Sequence, residues 1–246
     1  MRSQKTINEA IILAGGLGTR LRTAVPDLPK CMAPVDGKPF LSYVIDYFLA
    51  QGIEKFIFAL GYKSEHFEAY LRTSMPARLA DGRPTSYQLS VEHEPLGTGG
   101  AIRLACTQST ESTVLVLNGD TFFRIRPDGL ASFHRQQEAD CTLCLKPMEN
   151  FDRYGVVELG PGGRVSRFRE KRSYVSGLIN GGVYALDRAR FLQMDLPPAF
   201  SFEKDYLEKN VSSLRLFGLV QDDYFIDIGI PEDYQRAQLE IKNYVI

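Results

Sequence analysis

The segment Gly15-Gly16-Leu17-Gly18-Thr19-Arg20-Leu21 directly follows the apolar run Ala10–Ala14. Glycines after a strand let backbone N–H groups approach phosphate oxygens with no Cβ in the way. Arg20, Arg22 and, after Pro29, Lys30 place positive charge on the same stretch. A guanidinium suits bidentate phosphate contact, and a lysine supplies a mobile point charge. In open α/β sheets the ligand crevice lies beyond the carboxyl ends of the strands, where this loop falls. Two familiar phosphate motifs do not fit: the third glycine of a dinucleotide fingerprint would stand at Leu21, and no Gly-Lys-Ser/Thr is present.

Two acids invite a metal. Asp120 closes Asn118-Gly119-Asp120 at the end of an apolar run, and Asp227 sits inside the apolar Phe225-Ile226-Asp227-Ile228-Gly229. A charge in such a setting needs a partner, commonly a metal. Mg²⁺ takes a few carboxylates and otherwise water and phosphate oxygens, so two acids from distant segments suffice. Taken alone, Asp120 reads by default as a loop cap, and the metal reading rests on the pair. A further motif, Glu94-Pro95-Leu96-Gly97-Thr98-Gly99-Gly100, precedes a predicted helix. Small residues at a helix N-terminus favour close approach of a planar base or a phosphate.

The elements that position these residues alternate. Ala10–Ala14 is a buried strand, Phe40–Gln51 a helix stopped by Gly52, Lys55–Leu60 a strand, and Ser64–Arg72 a helix with Ser64 as cap. Met75–Pro84 is a surface loop. Ser86–Val91, Thr113–Leu117 and Cys141–Lys146 are strands, and Thr98–Cys106 and Gly129–Gln137 are helices. This order predicts βαβ units and a mostly parallel sheet flanked by helices. Thereafter Val156–Leu159, Arg164–Arg169 and Val183–Leu186 are short strands that extend the sheet with hairpins. Ser201–Asn210 is a helix, Leu214–Val220 a strand and Pro231–Asn243 a final helix.

The chain has 246 residues, 44% hydrophobic, enough for one large domain with a sizeable core. Lys plus Arg is 29 against Asp plus Glu 30, which argues against a dedicated nucleic-acid or membrane-surface binder. No signal or membrane span is expected, and the reducing cytoplasm is the expected home of the four cysteines. Cys141-x-x-Cys144 suggests a metal or redox pair, but positions three apart on a strand face opposite sides and no second Cys or His pair completes a zinc site. His66, His93 and His134 lie in no nucleophile motif, so a Ser–His–Asp hydrolase is poorly supported.

The Gly15–Leu21 loop and Pro29-Lys30 resemble the signature of the sugar-1-phosphate nucleotidyltransferase (sugar-nucleotide pyrophosphorylase) family, over nearly the whole chain. The resemblance implies a Rossmann-like mixed, mostly parallel α/β sheet, and a Mg²⁺-dependent transferase that joins a nucleoside monophosphate to a sugar 1-phosphate and releases pyrophosphate. It implies that Leu13, Ala14, Gly15, Gly16, Gly18 and Thr19 cradle the nucleotide, that Arg20 holds the triphosphate, and that Lys30 bridges the reacting phosphates. Asp120 and Asp227 map onto the metal-binding acids. The base is expected at Glu94 and Gly99. Glu94 is acceptor-only and can take the N1 and N2 donors of guanine. Uracil or thymine would set a carbonyl against it, at ~1–3 kcal/mol. That favours GTP, the other reading of Glu94 being a solvated loop acid. On the sugar-phosphate side the resemblance implies Tyr154, Gly155, Glu170, Lys171, Asn180, Gly181 and Lys204; without it, Glu170-Lys171 reads as an exposed charged turn. The family's Pro-Leu-Thr after the Arg-Leu is here Arg22-Thr23-Ala24, and Cys31 stands where a proline is common.

Three later segments, Lys146–Gly155, Ser201–Asp205 and Tyr224–Tyr234, resemble the D-glycero-α-D-manno-heptose 1-phosphate guanylyltransferase branch, with mannose 1-phosphate guanylyltransferase as its rival. A single domain is expected, with residues 1–146 as the nucleotide half and 147–246 as the sugar-phosphate half. No hexapeptide repeat announces a β-helix extension, and a homo-oligomer is left open. A catalytically silent nucleotide-sugar sensor of the same fold would be expected to have lost Arg20, Lys30, Asp120 or Asp227, and all four are present.

Overall fold

In the computed structural model, residues 6–15, 28–61 and 64–245 are described. The first strand, β1 (Glu9–Leu13), is apolar after Glu9 without alternation because it lies inside a sheet whose two faces are both covered. The hairpin strands β2 (Pro34–Val35) and β3 (Lys38–Pro39) lead into α1 (Phe40–Ala50), then β4 (Lys55–Leu60), α2 (Ser64–Ser74), β5 (Ser86–Val91), α3 (Gly97–Cys106) and β6 (Thr113–Asn118). After β7 (Thr121–Phe123) and α4 (Pro127–Gln136) come β8 (Cys141–Phe151), β9 (Val156–Leu159), β10 (Val165–Arg169) and β11 (Tyr174–Asp187). The chain closes with α5 (Arg188–Leu192), β12 (Leu216–Val220), β13 (Phe225–Asp227) and α6 (Pro231–Glu240).

Seven strands form the sheet in the order β12-β8-β11-β6-β1-β4-β5. All neighbours are parallel except β11, which runs antiparallel to both β6 and β8. The mixed, mostly parallel architecture expected from the sequence is therefore present. Side chains alternate between two cores. Ala10, Ile12, Phe56, Phe58, Leu115 and Leu117 pack with α1, whereas Ile11, Ile57, Val114 and Val116 pack with α3 and Phe191. Cys141 and Cys144 fall in opposite cores, both buried and free, which disposes of the metal-pair reading. Burial pushes both thiols well above the ordinary range.

Three expectations need correction. The strands β8 and β11 run well past the bounds read from sequence, as a paired arm whose tip stacks Phe151 on Tyr174. Lys146, Pro147, Glu149 and Asn150 carry no apolar run. Pro147 is tolerated because β12 pairs with β8 only as far as Leu145. Residues 146 and 147, the approximate boundary between the two expected halves of the single domain, both lie in β8. The segment read as an α-helix from Ser201 is π-helical over Phe202–Glu208. Its i→i+5 bonding lets residues four and five apart point the same way, and Phe202, Tyr206 and Leu207 are all buried. The short α5, capped by the Asp187 carboxylate accepting from the Arg190 amide, was not foreseen. The cap expected from the Ser64 side chain lies outside the described side chains. Among the described residues, no helix is long and apolar enough to cross a membrane.

Candidate active site

The carboxyl ends of β1 and β6 meet where the Gly119 amide donates to the Leu13 carbonyl at 2.9 Å. Asp120 follows at the turn into β7. The register of the small β7–β13 ladder sets Asp227 opposite Thr121, which brings the two acids together. Lys30 begins a 3₁₀ turn whose next residues, Cys31 and Met32, are buried and anchor its backbone. Its side chain reaches both acids: Nζ lies 2.6 Å from Asp120 Oδ2 and 3.2 Å from Asp227 Oδ1. Burial alone would push the Lys30 pKa down, but Asp120 and Asp227 outweigh it and hold the ammonium above its ordinary value. Lys30 is therefore a fixed positive charge with little freedom.

Further donors fix Asp227. The Gly229 amide donates to Oδ1 at 2.8 Å, and the Tyr154 hydroxyl donates to Oδ2 at 3.4 Å. A Cβ at position 229 would stand 2.9 Å from Asp227 Oδ1 and 3.1 Å from Lys30 Nζ, so only glycine lets the three groups close on one another. The Thr121 hydroxyl donates to Asp120 Oδ1 at 3.3 Å. Asp120 Oδ2 and Asp227 Oδ1 both reach the Lys30 ammonium, so the two carboxylates stand close enough together to serve one cation. That is the donor set of a hard divalent cation which completes its shell with substrate oxygens. Among the described residues no group of three or more His, Cys, Asp or Glu offers an all-protein cage.

The residues expected to touch the sugar phosphate lie on several elements, and of these Tyr154 contacts Asp227 directly. Tyr154 and Gly155 lie in the turn between β8 and β9, Gly155 against the Arg169 carbonyl. Glu170 and Lys171 are exposed between β10 and β11, with the Glu170 carbonyl accepting from the Tyr174 hydroxyl at 2.9 Å. Asn180 and Gly181 sit where the β8–β11 register shifts beside the end of β6. Asn180 Nδ2 donates to the Tyr184 hydroxyl at 2.7 Å and to Glu203 Oε1 at 3.3 Å, while its Oδ1 accepts from Gly182. Lys204 is exposed on the π-helical segment. Burial raises the Glu208 carboxyl pKa, and the neighbouring Glu170 and Glu203 raise it further, so these segments converge on one region.

On the nucleotide side, Leu13, Ala14 and Gly15 lie at the end of β1, with the Ala14 amide donating to Ala59 at 3.0 Å. Glu94 is exposed in the turn before α3. Gly16, Gly18, Thr19 and Arg20 lie outside the described residues. Gly99 has a packing role that the sequence does not announce. Its missing side chain makes room for the Phe200 ring, which a Cβ would meet at 2.1 Å, and its amide donates to the Phe200 carbonyl at 2.9 Å. The neighbouring Thr98 hydroxyl accepts from the Phe202 amide. Small residues here make room for residues 198–202 to pack on α3. Sequence reasoning also passed over Gly229, Arg153 and Asp233, whose contacts depend on long-range register that no local spacing announces.

With this geometry in place, comparison with known proteins is informative. The family described as Nucleotidyl transferase matches residues 9–244. The chain is 46% identical over 237 residues to D-glycero-alpha-D-manno-heptose 1-phosphate guanylyltransferase of Aneurinibacillus thermoaerophilus, covering 96% of this chain and 100% of the relative. It is 42% identical over 226 residues to the protein of the same name from Campylobacter jejuni, covering 92% and 96%. The crystal structure of HddC from Yersinia pseudotuberculosis complexed with GMP-PN superposes with a TM-score of 0.81 at 34% identity, covering 94% of this chain and 98% of that one. This chain, with its lysine-bridged pair of aspartates at the strand ends, belongs to the nucleotidyl transferase family.

Proposed function

We propose that this chain joins GMP from GTP to D-glycero-α-D-manno-heptose 1-phosphate, giving GDP-heptose and pyrophosphate for bacterial surface polysaccharide. The observation that carries the substrate is the 46% identity to a guanylyltransferase of that name along that relative's entire length. Mannose-1-phosphate guanylyltransferases are the second reading. One from Mycobacterium tuberculosis is 32% identical, but the chain covers 64% of its length.

A phosphate oxygen of the sugar 1-phosphate attacks the α-phosphorus of GTP in line, and the bond to the β-phosphate breaks. Both reactants are anionic, so the protein must align them and offset their repulsion. Lys30, already charged and held by two carboxylates, stands where the phosphates meet; Arg20 supports the triphosphate and the departing pyrophosphate. Glu94 accepts from guanine N1 and N2. Asn180 and Glu170 orient sugar hydroxyls, and Lys171 and Lys204 face the sugar phosphate. Asp120 and Asp227 would hold Mg²⁺, which would supply charge neutralisation for the gathered phosphates. In this reading residues 1–146 chiefly serve the nucleotide and 147–246 the sugar phosphate. The free buried thiols support a reducing cytoplasm.

The test is a panel of four nucleoside triphosphates against several sugar 1-phosphates with Mg²⁺, read as pyrophosphate release. GTP with the heptose 1-phosphate should be turned over fastest. Faster turnover of mannose 1-phosphate, or of UTP, would overturn the assignment.

A further inference from the structure

Arg153 lies one residue before Tyr154, and its guanidinium stands 5.2 Å over the Tyr154 ring. Its Nη2 is 3.1 Å from the Tyr154 hydroxyl and also makes a short charge-assisted bond to Asp233 Oδ2. Asp233 is 8% exposed, sits in the first turn of α6 and gives its other oxygen to Arg236 at 3.2 Å. The Arg153 fork is therefore held by a buried carboxylate that itself has a second cationic partner.

The direction of the next bond follows from donor counting. Arginine has donors only, so the Tyr154 oxygen must accept from Arg153. Its single proton is then free to point elsewhere, and Asp227 Oδ2 lies 3.4 Å away. The ring is steadied edge-on against Phe225, two residues before Asp227, at 6.2 Å between centroids. Asp227 thus accepts from Tyr154 on one oxygen and from Lys30 and Gly229 on the other. A carboxylate gripped on both oxygens has a fixed plane, and the plane decides where its remaining lone pairs point.

We propose that Arg153, clamped by Asp233, is a positioning residue that acts through Tyr154 to fix the Asp227 carboxylate and so sets the site's affinity for its divalent cation. The inference rests on the reading of Asp227 as a metal ligand. Partners behind a metal ligand typically change metal affinity 10- to 100-fold when removed.

The experiment uses the full chain with GTP and no sugar phosphate, and measures free Mn²⁺ by its electron paramagnetic resonance signal. Arg153→Met and Tyr154→Phe should each weaken Mn²⁺ binding by about 10-fold. Their double variant should be no weaker than either alone, because one acts through the other. Arg153→Lys, which keeps charge but not the fork, should restore only part. Tyr154→Phe removes one oxygen and keeps the ring, so it reads the relay even if Arg153→Met folds poorly. Unchanged Mn²⁺ affinity in Tyr154→Phe, or additive losses in the double variant, would overturn the proposal. Asp227→Asn serves as the reference. If it leaves Mn²⁺ affinity unchanged, the reading of Asp227 as a ligand fails and the relay falls with it. If it abolishes binding while Tyr154→Phe leaves the affinity unchanged, only the relay fails.

Discussion

Lys30 Nζ and Asp120 Oδ2 are 2.6 Å apart although ninety positions separate them in the chain. Asp227, further still along the sequence, shares the same ammonium. Lys30→Ala removes the charge that both the acids and the anionic reactants face. Turnover should fall on the order of 10²-fold or more, as when a charge-stabilising donor is deleted, and Arg20→Ala should do likewise. Near-normal turnover in both variants would refute their roles. The lysine pKa is raised in the fold, so its stabilising contribution is fully present below the ordinary value of 10.5 and is lost only as pH rises through the higher folded value. Denaturation curves of wild type and Lys30→Ala should therefore keep a constant separation from pH 7 to 10.

Gly229→Ala is the sharpest steric probe of the same centre. Its Cβ would press on the Asp227 carboxylate and on the Lys30 ammonium while leaving the surrounding core untouched. Turnover should drop at least 10-fold, a displacement of about an ångström being enough for that or more. Circular dichroism should stay that of the wild type. Full activity would mean that Lys30 and Asp227 need not stand in contact during the reaction.

How far the site could be read in advance depended on the range of the forces involved. The strands β4 and β5 were legible to the residue, since burial demands local runs such as Lys55–Leu60. The three-residue strands β7 and β13 were not, being too short for any period, yet their register is what delivers Asp227 to Asp120. The outer half of β8 carries Lys146, Pro147, Glu149 and Asn150, and that of β11 is broken by Ser176, Gly177 and Asn180; they hold each other by cross-strand pairing, so their length was invisible too. Lys30, Asp120 and Asp227 were legible as residue types in motifs. That one ammonium binds both acids, and that Arg153 reaches Asp227 through Tyr154, are consequences of tertiary register.

Gly99 offers a test of why a small residue stands there. Gly99→Ala sets a methyl into the Phe200 ring, and overpacking of that kind costs about 1–3 kcal/mol. Combining it with Phe200→Ala should return most of that loss relative to Phe200→Ala alone, measured by urea denaturation. If the glycine instead served nucleotide approach, stability would hardly change and the KM for GTP would rise in both backgrounds.

Glu94 is exposed in the turn before α3 and has no other described task. Glu94→Gln replaces an acceptor-only group with one that also donates. The preference for GTP over UTP, measured as a ratio of kcat/KM, should shrink by roughly 10-fold, the equivalent of one imperfectly paired polar contact at about 1–2 kcal/mol. A variant that kept the full ratio would show Glu94 to be a solvated acid.

His134 predicts how the fold answers to acid. It is 4% exposed, and its Nδ1 lies 2.9 Å from the Thr142 hydroxyl. Burial lowers its pKa to about 4, Asp187 and Asp140 pulling the other way and Arg190 adding to the depression. The unfolded chain binds a proton near pH 6.5 that the folded ring refuses, so stability falls as pH drops from 6.5 towards 4. A shift of this size corresponds to roughly 3 kcal/mol by pH 4. Glu9 acts in a lower window. Burial raises its pKa, but Ser109, Thr110 and Lys55 lower it more, so its contribution is lost only below the ordinary 4.5. Asp46 and Glu208, whose carboxyls burial pushes up, act with the opposite sign. The difference between wild type and His134→Gln therefore isolates the ring. Urea midpoints should converge or cross between pH 7 and 5 as the wild type loses stability faster, and parallel curves would show that His134 is not held neutral by its burial.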